Sequence, residues 1–113
     1  MKKYYHKRAL RWLIASFAIT LLFACDSEKA DIERGHRAFD RGHFANAIND
    51  YSLAIKENSS NPNSYFFRGF AKMQNGDFDG AVDDFSRAIQ LDHNYFKAYM
   101  ARAEIWFKKK SFD

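Results

Sequence analysis

A period of 34 residues constrains the fold of this 113-residue chain more than any other feature. When residues 28–61 are laid over residues 62–95 without a gap, nine of the 34 positions are identical. A repeat of this length predicts a solenoid, in which each unit buries its apolar face only by stacking on the next. The matched pairs are Arg34/Arg68, Gly35/Gly69, Gly42/Gly76, Phe44/Phe78, Ala47/Ala81, Asp50/Asp84, Ser52/Ser86, Ala54/Ala88 and Ile55/Ile89, and Arg102 and Phe112 continue two of these series.

Apolar residues recur at helical spacing in five segments of the repeat region. Gly42 and Gly76 stand where the first helix of each pair ends, and we expect both in the left-handed conformation. Asn61 and Pro62 predict a helix cap followed by a first-turn proline. The predicted helices are Glu28–Arg41, Phe44–Glu57, Asn63–Asn75, Phe78–Leu91 and Tyr95–Lys110.

These repeats resemble the tetratricopeptide repeat, whose A-x3-F signature reads Ala47…Tyr51 and Ala81…Phe85 here. The resemblance covers residues 28–113. It implies an all-α, right-handed superhelical solenoid, with full repeats at 28–61 and 62–95 and an incomplete third at 96–113. The recurring arginine and aspartate predict an ion pair between the helices of each unit, with independent solvated charges as the alternative. Such a pair supports register rather than catalysis.

The first 24 residues have the order of a secretory signal: basic residues, an apolar run, then small residues. The uncharged run Trp12–Ala24 contains 13 residues. As a helix it would span roughly 20 Å, short of the roughly 30 Å hydrocarbon core. A removable signal at 1–24 is therefore predicted, and a short membrane anchor is the alternative.

The junction Leu22-Phe23-Ala24-Cys25 resembles the lipobox of bacterial lipoproteins. That resemblance implies that Cys25 is lipidated and becomes the mature N-terminus, with residues 25–27 as a membrane tether. Asp26 resembles the signal that retains some lipoproteins in the inner membrane. We therefore expect a lipid-anchored protein that faces the periplasm or the exterior, with the inner membrane favoured.

The charge and the reactive side chains indicate a binding protein rather than an enzyme. Residues 1–24 hold five basic residues and no acid, so residues 25–113 carry a net charge of −1, and a nucleic-acid partner is not expected. The single cysteine, Cys25, excludes an intrachain disulfide. The histidines of the repeats share no ligand spacing, and Asp83 and Asp84 point about 100° apart on a helix. The prediction is no catalytic residue, no metal and no cofactor.

The resemblance also implies where a partner binds, because the first helix of each repeat lines the concave face in this family. A subset of the family grips a peptide's terminal carboxylate with lysine and asparagine there. Only Lys97 fits that pattern, whereas Ile32, His36 and Phe70 depart from it. We therefore expect an apolar helix or extended segment as the ligand. The predicted groove residues are Ile32, Phe66, Phe70, Met73, Lys97 and Met100. The alternative is that some of these side chains, Met73 and the nearby Phe39 especially, belong to the core.

The third unit lacks its second helix in this sequence, and its first helix carries apolar residues around most of its circumference. Ile105, Trp106 and Phe112 are the predicted self-association edge, which would give a homodimer. Solvation of this end by Lys108–Lys110 is the alternative. The function expected is a membrane-tethered scaffold for a protein or peptide partner. The alternative is a structural fragment that pairs with another copy or with further repeats.

Overall fold

The computed structural model describes residues 2–111, with side chains from residue 7 onward. Between residues 2 and 111 the chain forms five α-helices and no strand, as the all-α prediction requires. Two predicted helices have the bounds expected, and two others are displaced by one residue. The helices are α1 (Lys2–Asp40), α2 (Phe44–Glu57), α3 (Pro62–Gln74), α4 (Phe78–Leu91) and α5 (Phe96–Ser111).

Helix α1 differs from the prediction, because it does not begin at Glu28 but runs without a break from Lys2 to Asp40. No glycine or proline interrupts residues 2–34, and the Ser27 hydroxyl donates to the Ala24 carbonyl within the helix at 3.0 Å. A helix of 39 residues is about 58 Å long. By length and composition α1 is able to cross a membrane, a test that signal sequences near an N-terminus also pass.

The turns have the predicted chemistry. Gly42 and Gly76 adopt φ values of 76° and 85°, which lie in the left-handed region that favours glycine. The Asn61 side chain accepts from the Asn63 backbone N–H at 3.0 Å, and Pro62 opens α3. Asp77 caps α4 in the same way by accepting from Gly80 N–H at 2.9 Å. These short connections force successive helices into antiparallel pairs.

Close helix packing depends on the small residues that recur with the period. A Cβ at Gly35 would lie 2.4 Å from Tyr51 Cε1, and one at Gly69 would lie 2.9 Å from Phe85 Cε1. Both aromatic side chains are therefore packed directly on the preceding helix, and both are fully buried. The second helices contribute four alanines with no exposed surface: Ala47, Ala54, Ala81 and Ala88.

The predicted ion pairs form between the two helices of each full repeat. Arg34 Nε donates to Asp50 at 3.1 Å, and Arg68 donates to both carboxylate oxygens of Asp84 at 2.9 and 2.7 Å. Asp31 also pairs with Arg34. These carboxylates raise the pKa of the Arg34 guanidinium through hydrogen bonds, Asp50 first and Asp31 second. The alternative of independent solvated charges is wrong for both repeats.

Candidate functional site

An open groove lies between α3 and α5, with a volume of about 890 Å³. It brings together four of the six predicted groove residues, two from each helix: Phe66, Phe70, Lys97 and Met100. All six of the remaining lining residues come from one face of α5. Those residues are Ala101, Ala103, Glu104, Phe107, Lys108 and Ser111.

The α3 wall of the groove is aromatic, and its rings pack against core residues on their inner side. The rings of Phe66 and Phe70 are stacked with centroids 6.1 Å apart. Phe66 also packs against Phe85 at 5.6 Å and Tyr95 at 5.3 Å. The Tyr95 hydroxyl donates to Asn63 Oδ1 at 2.7 Å, and partial burial followed by the Asp92 charge raises its pKa. This wall is therefore a fixed apolar surface, because its rings are half-buried in the core.

The α5 wall is more exposed and carries mixed charge. Met100 and Phe107 are both more than 70% exposed, so their side chains stand free at the groove. Lys108 forms an ion pair with Glu104 at 2.9 Å on the neighbouring turn. Lys97 lies at the other end of this wall. An apolar floor with charged residues along one side fits a peptide segment better than a small polar molecule.

Two predicted groove residues lie elsewhere. Met73 is only 5% exposed and packs in the core with Phe85 and Ile105, because it faces α4 rather than the groove. Ile32 packs against the cluster formed by Ala47, Tyr51 and Ala71. Neither side chain lines the groove of α3 and α5.

His36, which the sequence predicts to depart from the carboxylate-gripping pattern, is used in packing. Its Nδ1 is hydrogen bonded to the Tyr51 hydroxyl at 2.8 Å, and its ring meets Phe67 edge-on at 4.5 Å. Burial, and then the charges of Asp40 and Asp50, raise the pKa of Tyr51 to about 12. At neutral pH the hydroxyl is protonated, as an ordinary tyrosine would be, and it is shared with the His36 ring.

The predicted self-association edge is not one surface. Ile105 is 1% exposed and belongs to the core between α4 and α5, because it points toward α4. Trp106 is 73% exposed on the outer side of α5. Phe112 lies outside the described residues. Of the predicted edge residues that the structure describes, Trp106 is on the surface and Ile105 is not.

The residues of the predicted lipidation junction are accessible on α1. Cys25 is a free, exposed thiol, and Leu22 and Phe23 before it are exposed as well. The repeats begin three residues later with Glu28, which is buried and accepts from Asn58 Nδ2 at 3.0 Å and Asn61 Nδ2 at 2.6 Å. Sequence reasoning missed this contact, because the equivalent position in the second repeat is Pro62 and the period gives no signal.

Among the side chains of residues 7–111, no three histidine, cysteine or carboxylate groups gather in one place.

Two family models match the chain, and both describe the same repeat. "Tetratricopeptide repeat" matches residues 62–95, and "TPR repeat" matches residues 35–76. Heat shock protein sti1 homolog of Schizosaccharomyces pombe is 33% identical over 84 residues, which are 73% of this chain. This chain spans only 14% of the length of that relative.

Solved structures of similar domains have the same fold. The TPR domain of Arabidopsis OM64 is 26% identical, with a TM-score of 0.75 over 79% of this chain and 74% of that one. The second TPR of Spaghetti (RPAP3), bound to the HSP90 peptide SRMEEVD, is 25% identical, with a TM-score of 0.71 over 75% and 79%. The second TPR domain of human RPAP3, in complex with the HSP70 peptide SGPTIEEVD, is 29% identical, with a TM-score of 0.66 over 74% and 67%.

Proposed function

We propose that this chain, whose helical array consists of tetratricopeptide repeats, is a lipid-tethered scaffold that holds a protein or peptide partner in a bacterial cell envelope. The partner binds in the apolar groove between α3 and α5, and catalysis, where the complex performs any, belongs to the partner. The observation that carries the proposal is the convergence of Phe66, Phe70, Lys97 and Met100 on that one groove.

Peptide binding by similar domains supports the ligand class. Two of the solved relatives hold short peptides of heat-shock proteins. In this chain the family's carboxylate-gripping positions carry Ile32, His36 and Phe70, and His36 is engaged by Tyr51. The ligand is therefore an apolar helix or extended segment that packs on the aromatic wall, rather than a peptide held by its terminal carboxylate.

Met100 strengthens this assignment, because a flexible thioether adapts to varied apolar surfaces. Its neighbours along the rim, Lys97 and the Glu104–Lys108 pair, contribute polar contacts at the edge. A hydrophobic centre with a polar rim is the usual anatomy of a protein-binding surface.

The tether is the second part of the proposal. Cys25 is exposed at the end of an exposed apolar stretch, and acyl chains on it would bring the repeats to the bilayer. Only about 5 Å of helix separates Cys25 from Glu28, which binds the α2–α3 turn through Asn58 and Asn61. The array would thus lie close to the membrane surface, without a long flexible linker. It would face the periplasm or the exterior.

The groove is tested with two exposed residues of α5 that differ in one respect. Met100 lines the groove, and Phe96 does not, although each is 72% exposed. We expect Met100→Glu to remove the partner from a pull-down of solubilised envelope, read by mass spectrometry, and Phe96→Glu to retain it. Equal recovery with both variants would contradict the groove. Recovery of copies of the chain alone would favour the structural alternative.

Exposed residues are the better choice for this test than the aromatic wall. Phe66 packs on Phe85 and Tyr95, so Phe66→Ala would lower stability as well as binding. Helicity measured by circular dichroism should stay unchanged in both α5 variants.

The tether is tested by Cys25→Ser. We expect the variant to remain at precursor size, without incorporated palmitate, whereas Ser16→Ala within the same apolar run should mature normally. Several acyl chains give stable membrane attachment, so the processed protein should partition with membranes. Maturation of Cys25→Ser to normal size, with unchanged fractionation, would refute the lipid anchor while leaving the groove untouched.

A further inference from the structure

Helix α3 binds α4, the second helix of the same repeat, through a specific set of contacts. The ring of Phe85 lies directly over Gly69, where a Cβ would be 2.9 Å from the ring. Beside it, Arg68 binds both oxygens of Asp84, and Lys72 adds a contact to the same carboxylate at 3.0 Å. The recognised element is an acidic helix with a carboxylate followed directly by an apolar side chain.

Helix α5 repeats the tyrosine and the arginine of α3 one period later, with Ala103 in place of Gly69 and Trp106 in place of Lys72. The Arg102 guanidinium lies over the Tyr99 ring at 5.6 Å, as that of Arg68 lies over Tyr65 at 5.7 Å. Arg102 also donates to Ser86 Oγ at 3.3 Å, which repeats the bond from Arg68 to the equivalent serine. Among residues 7–111, no carboxylate forms an ion pair with Arg102.

The surface around Arg102 is open. A cavity of about 460 Å³ lies over it, and its walls are mainly apolar. The equivalent positions of α3 are covered: Met73 is 5% exposed, whereas Phe107, one period later, is 74% exposed. We name this surface the open edge, defined by Tyr99, Arg102, Ala103, Trp106 and Phe107.

We propose that the open edge binds an acidic amphipathic helix of a partner protein, which supplies a carboxylate to Arg102 and, at the next position, an apolar side chain to Ala103. Charge complementarity favours this occupant over a second copy. The cavity at the open edge is lined by two basic residues, Arg102 and Lys110, and by no acid, so two copies placed edge to edge would repel each other. By contrast, the segment 77–92 that covers α3 contains five aspartates and one arginine.

The side chain that packs on Ala103 should be smaller than phenylalanine. A Cβ at the equivalent Gly69 would lie 2.9 Å from the Phe85 ring, which is too close for an unshifted fit. Ala103 has that Cβ. A leucine, isoleucine or valine after the carboxylate would leave room for the Ala103 Cβ. This preference for a smaller side chain distinguishes the open edge from the surface of α3 that binds Phe85.

A peptide with the sequence of residues 77–92 and the change Phe85→Leu is the probe. The full chain is studied in detergent micelles as Trp12→Phe, so that Trp106 is its only tryptophan. We expect saturable binding with a blue shift of Trp106 fluorescence. The same peptide with Asp84→Asn should bind about tenfold more weakly, since one charge-assisted contact is lost. The peptide that keeps Phe85 should bind more weakly than the leucine peptide.

Charge reversal locates the site. Arg102→Asp in the chain should abolish binding, and Asp84→Arg in the peptide should restore it. The matched control is Arg37→Gln, which removes an exposed arginine on α1. Ala103 and Phe107 line both surfaces, whereas Arg102 lines the open edge and not the groove, so charge reversal at Arg102 tests this proposal separately from the proposed function.

Three results would overturn the proposal. The first is the absence of saturable binding up to about 1 mM peptide. The second is equal affinity for the aspartate and asparagine peptides, or no rescue by charge reversal. The third is self-association of the chain in sedimentation that Trp106→Glu abolishes, which would assign the edge to a second copy.

Discussion

Helices α3 and α5 have matching recognition residues and opposite environments. Each has a tyrosine, an arginine and a small residue at the same spacing, and in each the arginine lies over the tyrosine ring. Tyr65 is 9% exposed because α4 covers it, whereas Tyr99 is 41% exposed. The comparison teaches that a repeat specifies a binding surface on its first helix, and that burial depends on the helix that occupies this surface.

The largest expected effect is a difference in the free energy of unfolding between a residue packed on the covered helix α3 and a residue on the open helix α5. Phe85→Ala should lower the free energy of unfolding by about 4 kcal/mol, because the ring is fully buried against α3 and nothing else fills its space. Trp106→Ala, on the open edge, should change it by less than about 0.5 kcal/mol. Urea unfolding of the full chain in mild detergent, followed by circular dichroism, measures both. Similar losses would mean that the two surfaces are equally covered in solution.

A smaller effect is expected for the ion pair that only the covered helix completes. Asp84→Asn should cost about 2 kcal/mol, because Arg68 and Lys72 lose their shared carboxylate in a partly buried site. The adjacent, exposed Asp83→Asn is the matched control and should be nearly neutral. The same unfolding assay decides: a cost for Asp84→Asn as small as that of the control would show that the pair sets register without adding stability.

Local chemistry explains which elements could be predicted from the sequence. Helix bounds were predicted to within one residue where a glycine or a cap stands at the end, as at Gly42, Gly76 and Asn61. The start of α1 was wrong, since residues 2–34 contain no helix-breaking residue and the boundary was placed where the repeat begins, at Glu28, rather than at a residue that ends a helix. The arginine–aspartate pairs were correct, because both partners recur with the period.

Side-chain direction was harder to predict. Met73 and Ile105 were expected at binding surfaces, and both are buried. Successive residues on a helix differ by about 100°, so a small difference in helix rotation moves a side chain from the groove to the core. Glu28 gave no signal at all, because its partners Asn58 and Asn61 lie some thirty residues away and the second repeat has no equivalent.

The sequence by itself determined the repeat, the helix pairing and the residues that join each pair, because these depend on spacing, glycine conformation and small side chains. Tertiary structure alone decided which faces stay open, because exposure is a property of neighbouring helices rather than of one helix. The groove of Phe66, Phe70, Lys97 and Met100 exists because α5 packs beside α3 at that rotation. The open edge around Arg102 exists because no described helix lies over it.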